Sequence, residues 1–151
     1  MKHSSLTSAL LVILLAFVIV SCSKKDEPEP SLGDQVAGSY TLTKASLGPL
    51  EINYPYTEPG TGLKISGKID IVKATDTEAT ASISFIETDN AGKATEEKTS
   101  LGNATLQKAA TGEIEAYSGT TKIGTYSNGV MTLSVVDPDS GLPLTLSGKK
   151  N

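Results

Sequence analysis

Few side chains in this sequence could carry chemistry, and where they stand narrows what it could do. There is one cysteine, Cys22, one histidine, His3, and no arginine; all 13 basic residues are lysines. Cys22 and His3 both precede the body of the sequence, which starts near Val36 and so has neither imidazole nor thiol. That removes Ser-His-Asp and Cys-His nucleophilic catalysis and zinc sites of the Cys/His kind. Lack of arginine removes the planar fork that grips phosphate or carboxylate, and no glycine loop of the phosphate-cradling type is present. Carboxylate, Ser/Lys and oxygen-ligated metal chemistry remain. Glu51, Glu58, Glu113 and Glu115 are the acids a paired-carboxylate hydrolase would need facing each other, but nothing in their spacing pairs them. "DPDSG" (Asp137–Gly141) lacks the further ligands of a calcium loop and reads as a turn. The expectation is a protein that is not an enzyme, with no catalytic residues, no metal and no cofactor.

Binding chemistry is better represented. "LGPLEINYPYTEPGTG" (Leu47–Gly62) places Tyr54 and Tyr56 around Pro55, with Glu51 and Asn53 just before them. Tyrosine offers a flat apolar face with a polar tip, and proline stiffens the segment that carries it. Glu51, Asn53, Tyr54 and Tyr56 are therefore the candidate ligand-binding residues. Their ligand would be a small apolar molecule or a glycan fragment. The same tyrosines would also serve as a structural plug.

The amino-terminal segment concerns location. Lys2 and His3 precede the apolar run Ala9–Val20, which is short of the roughly 20 residues that cross a bilayer. A basic start, a short apolar centre and a small residue, Ser21, describe a secretory signal peptide over residues 1–21. "IVSC" (Ile19–Cys22) resembles the lipobox of bacterial lipoproteins. The resemblance implies cleavage after Ser21, acylation of Cys22 with palmitate-type chains, and a membrane partner reached through that lipid anchor. The next stretch, "SKKDEPEPSLGDQ" (Ser23–Gln35), is charged and proline-bearing and reads as a flexible tether over residues 22–35. Ser23 differs from the aspartate that retains many such lipoproteins in the inner membrane. "KKDEPE" resembles the export tag of Gram-negative surface lipoproteins. Together these imply the outer membrane and display on the cell surface.

From residue 36 to 151 the apolar period is two. "LKISGKIDIV" alternates Leu63, Ile65, Gly67, Ile69 and Ile71 with polar residues. "ATASISF", "VMTLSVV" and "LPLTLSG" do the same. Such alternation predicts half-buried antiparallel strands, here over 38–46, 62–73, 78–88, 95–107, 112–117, 120–127, 129–136 and 142–149. Asn128-Gly129 is a hairpin signal. The fold class is all-β, an antiparallel meander of about eight strands, which sheds its free edges by closing into a barrel; a flattened β-sandwich is the alternative. "VAGSYTLTKASL" (Val36–Leu47) resembles the opening strand of lipocalin-like proteins, with Tyr40 in place of their tryptophan. The final "LTLSGKK" resembles their closing strand, with Lys149 or Lys150 in part replacing an arginine that packs over that ring. The resemblance implies a barrel with Leu47–Gly62 as the lid over its open end.

Loss of the leader removes Lys2, leaving 12 basic against 17 acidic residues, a net charge of −5. A mildly acidic domain is a poor partner for nucleic acid. The function expected is non-catalytic binding by an envelope lipoprotein; the alternative is a structural or interaction module without a ligand pocket.

Overall fold

The computed structural model describes residues 28–136 and 141–151. The signal peptide, Cys22, the first four residues of the "KKDEPE" tag and most of "DPDSG" lie outside the described residues. A short helix, α1 (Leu32–Val36), precedes ten strands: β1 (Gly38–Leu47), β2 (Leu50–Asn53), β3 (Tyr56–Thr57), β4 (Lys64–Thr75), β5 (Glu78–Thr88), β6 (Ala94–Lys108), β7 (Ile114–Ser118), β8 (Thr121–Ser127), β9 (Val130–Val136) and β10 (Pro143–Lys150).

Strands β4 to β10 pair consecutively and β10 pairs with β1. The ring closes where the first half of β1 meets β4, from Gly38 opposite Ile71 to Thr41 opposite Lys68. The fold is thus a closed antiparallel meander barrel, and the flattened sandwich is excluded. Beyond Thr41 the two strands part. A bulge at Thr43 shifts the register of β1 on β10, and the second half of β1 pairs with β2, Ala45 opposite Ile52 and Leu47 opposite Leu50. β3 lines the facing edge of β4, with Tyr56 opposite Ile65. The segment expected as a long lid is therefore a hairpin and a short strand that extend the wall. Alternation explains this: Leu50 and Ile52 take the inner face, and Glu51 and Asn53 the outer.

The turn at Asn128-Gly129 holds both residues at positive φ, 51° and 78°, as a type I′ hairpin requires. Inward side chains fill the barrel, with Tyr40, Leu42, Ile69, Met131, Leu133 and Leu146 all nearly inaccessible. At Gly67 a side chain would collide with Leu42, whose Cδ2 lies 2.8 Å from where a Cβ would stand. The small residue there makes room for the large one opposite.

α1 was expected as part of the tether. Instead Ser31 caps it, accepting from the Asp34 amide at 3.2 Å. Its Val36 is 1% exposed, beneath the barrel. The Gly33 amide donates to the Asp76 carbonyl at 2.9 Å. Lys73 bridges Asp34 and Asp76, each at 2.8 Å, and these contacts hold both carboxyls below the usual aspartate range. A single turn with apolar residues only at Leu32 and Val36 is too short to form alone. Packing under the barrel forms it, and a local reading of sequence does not register packing.

Candidate functional site

The two ends of the barrel are built differently. The end where β1 starts, the base, is plugged by α1. Tyr40 is wholly buried there, and its hydroxyl donates to the Val36 carbonyl at 2.5 Å. Its ring meets Tyr126 edge to face, centroids 6.2 Å apart at 82°. Lys150 Nζ sits 5.8 Å from the Tyr40 centroid and 5.6 Å from that of Tyr126. It also donates to the Gln35 carbonyl at 2.8 Å. Burial, with a smaller contribution from Tyr126, raises the Tyr40 pKa well above the ordinary tyrosine value. Lys150 thus occupies the position expected of a closing cation over the Tyr40 ring.

The middle of the barrel is almost full. Its apolar void, walled by residues such as Ala81, Ala104, Ala116 and Leu133, measures about 40 Å³. Ligand sites commonly span about 300–1,000 Å³, so the small residues of β5 reflect close packing of neighbours rather than a ligand chamber.

The opposite end, the mouth, is open. A cavity of about 200 Å³ lies between the β1–β2 hairpin, β5 and β10, lined by Leu47, Leu50, Ile52, Tyr54, Phe85 and Leu144 among others. Leu50 is 67% exposed and Ile52 40%, although both face the cavity. Tyr54 leans on Phe85, with centroids 6.0 Å apart and planes tilted by 43°. Its amide donates to the Thr43 carbonyl at 2.9 Å, tying the hairpin to the bulge. The Tyr54-Pro55 peptide is cis. Partial burial raises the pKa of Tyr54. The neighbouring rim is braced. Thr61 donates to Glu58 at 2.6 Å and Asn90 to the Thr61 carbonyl at 2.8 Å, joining the β3–β4 and β5–β6 turns.

Of the four residues expected to bind ligand, Tyr54 lines this cavity. Tyr56 lies opposite Ile65, further along the rim. Glu51 and Asn53 take the outer face, opposite Ser46 and Lys44, and Glu51 pairs with Lys44 at 2.7 Å. The structure therefore separates the polar members of the set from the aromatic ones. Leu47, Leu50, Ile52, Phe85 and Leu144 were not singled out. The signal was present in "LGPLEIN", where a Gly-Pro turn is flanked by leucines and followed by period-two alternation. Among the carboxylates, Glu115 is held by Lys122 at 2.5 Å and by the Tyr117 hydroxyl at 2.7 Å. Among the described residues no three acidic, Cys or His side chains are grouped to hold a metal ion.

Fold and site together define a small antiparallel barrel with a sealed base, a filled middle and an apolar mouth. No family model matches the chain, and no curated protein matches it. A designed protein, described as "De novo design of a fluorescence-activating beta barrel", is similar at 13% identity over 80% of this chain and 98% of that one, with a TM-score of 0.38. A likeness of that strength carries no argument about function.

Proposed function

We propose that the protein is a lipocalin-like bacterial lipoprotein, anchored through Cys22 in the outer membrane and displayed at the cell surface, and that its mouth binds a small apolar molecule without catalysis. The observation that carries the binding reading is the apolar cavity of about 200 Å³ whose walls Leu50 and Ile52 remain open to solvent. Exposed apolar surface that is concave and rimmed by polar residues marks binding sites. An apolar ligand is favoured over a glycan fragment because Glu51 and Asn53, which would hold sugar hydroxyls, sit on the far side of the sheet. The size favours a small ligand: a 150 Å³ apolar cavity takes benzene. Lys150 stacked on Tyr40 supports the lipocalin-like reading. The anchor rests on "IVSC" alone.

Native mass spectrometry of the domain purified from its own envelope should show a retained apolar molecule. Tyr54→Ala should weaken binding of an environment-sensitive apolar probe by about two- to tenfold, the equivalent of the 0.5–1.5 kcal/mol an aromatic contact adds. Wild-type protein that neither retains a ligand nor binds the probe favours the alternative, an interaction module whose exposed leucines dock on a protein. For the anchor, palmitate labelling should mark the wild type, and Cys22→Ala should release the domain from membranes. Absence of label in the wild type defeats the lipoprotein reading.

A further inference from the structure

We infer that the mouth is held away from the membrane that anchors the protein, so that its ligand arrives from the water and is not a lipid of that bilayer. This rests on the lipoprotein and binding readings above and adds the source of the ligand. β1 runs from the base at Gly38 to the mouth at Leu47. The chain enters at the base and is fastened there. Gln35 Nε2 donates to the Pro30 carbonyl at 2.7 Å, Lys108 pairs with Glu29 at 2.5 Å, and Ser31 caps α1. Eight residues lie between Cys22 and Ser31, and the nine steps they make, at 3.3–3.6 Å each, span at most about 30 Å. The ten residues of β1, at ~3.3 Å each and tilted as barrel strands are, rise about 25 Å, and α1 lies below them. Turning the mouth onto the bilayer would therefore need the whole tether drawn taut along the wall. With the base towards the bilayer the attachment needs much less than that length.

The size of the mouth agrees with a water-borne source. A cavity of about 200 Å³ suits one ring or a short chain, close to the volume that takes benzene, and is small for the acyl chains of a membrane lipid. Toluene is a suitable probe.

The test uses lipidated protein in phosphatidylcholine vesicles that carry nitroxide-headgroup lipid. Cys22 is acylated, so one introduced thiol takes the fluorophore alone: Ala91→Cys in the β5–β6 turn at the mouth, or Thr111→Cys in the β6–β7 turn at the base. The Thr111 position should be quenched several-fold more strongly than the Ala91 position. Equal or stronger quenching at Ala91 would overturn the inference. Saturation-transfer NMR with toluene, on the Cys22→Ala protein in vesicle-free buffer, tests binding separately. Toluene binding with a quenched Ala91 label keeps the binding site and assigns its ligand to the bilayer. Absence of toluene binding with a quenched Thr111 label removes the binding reading, and with it the ligand source inferred here.

Discussion

Tyr40 and Tyr54 are the same residue put to opposite uses. Tyr40 at the base is fully enclosed, its hydroxyl satisfied by Val36 and its ring covered by Tyr126 and Lys150. Tyr54 at the mouth is half-buried, leaning on Phe85 beside two leucine-type side chains that solvent still reaches. The closing contacts of the barrel lie at the base, where β1 meets β4 and α1 supplies a plug. At the mouth β1 and β4 part, and β2 and β3 line the two sides of the gap, β2 on β1 and β3 on β4. The contrast teaches that stability and recognition are divided between the ends. Substitutions at the base should unfold the protein, and substitutions at the mouth should blunt binding while the fold stands.

The largest effect is expected from Tyr40→Ala. Removing a buried aromatic typically costs about 3–5 kcal/mol, so urea unfolding should move to much lower denaturant or the domain should fail to fold. A loss below about 1 kcal/mol would mean that the base is not where the barrel is held together.

Lys150→Met comes next. It removes the bond to the Gln35 carbonyl and the cation over two rings, together about 1–2 kcal/mol. The loss should shrink in a Tyr40→Ala background, because the two side chains share one contact. Additive effects in that double-mutant cycle would deny the coupling.

Alkaline pH sharpens the same point. Tyr40 is neutral in the folded protein well beyond the pH at which it ionises in the unfolded chain. Above about pH 10 the unfolded state has released a proton that the folded state keeps, so stability falls as pH rises, by up to about 1.4 kcal/mol per unit. Below pH 10 the contribution is fully present. Tyr40→Phe should flatten the decline measured between pH 10 and 11; an unchanged slope would assign it to other groups.

The smallest stability effect belongs to the mouth. Leu50→Ser with Ile52→Ser should shift unfolding by no more than about 0.5 kcal/mol each, as exposed substitutions do, yet lower apolar probe binding about tenfold. A large stability loss with unaltered probe binding would reverse the roles given to the two ends.

Most strands were legible because alternation is a local signal. "LKISGKIDIV" and "VMTLSVV" needed only their own residues to declare a face, and the strand starts and ends fall within a few residues of those expected. Legibility failed where a distant contact does the deciding. Leu32 and Val36 become a helix only because the barrel's base is there to cover them. The candidate site was half legible. Tyr54 was visible as an aromatic in a proline-bearing stretch. Glu51 and Asn53 fall away from it because residues adjacent in a strand point to opposite faces, and the Gly- and Pro-bearing stretch hides from a local reading that it pairs with β1 as a strand. Leu144 and Phe85 come from strands far off in sequence, and only the closed ring brings them beside the hairpin.

The division between the ends can be read in one experiment. Methyl-labelled protein titrated with toluene should show saturable chemical-shift changes at Leu47, Leu50, Ile52 and Leu144 around the mouth. The methyls of Val36, Ile69 and Leu42 should stay still. Shifts of equal size at Leu106, Met131 and Leu133 would place the ligand in the barrel's middle instead, and no saturable shift anywhere would contradict the account of the mouth as a binding site.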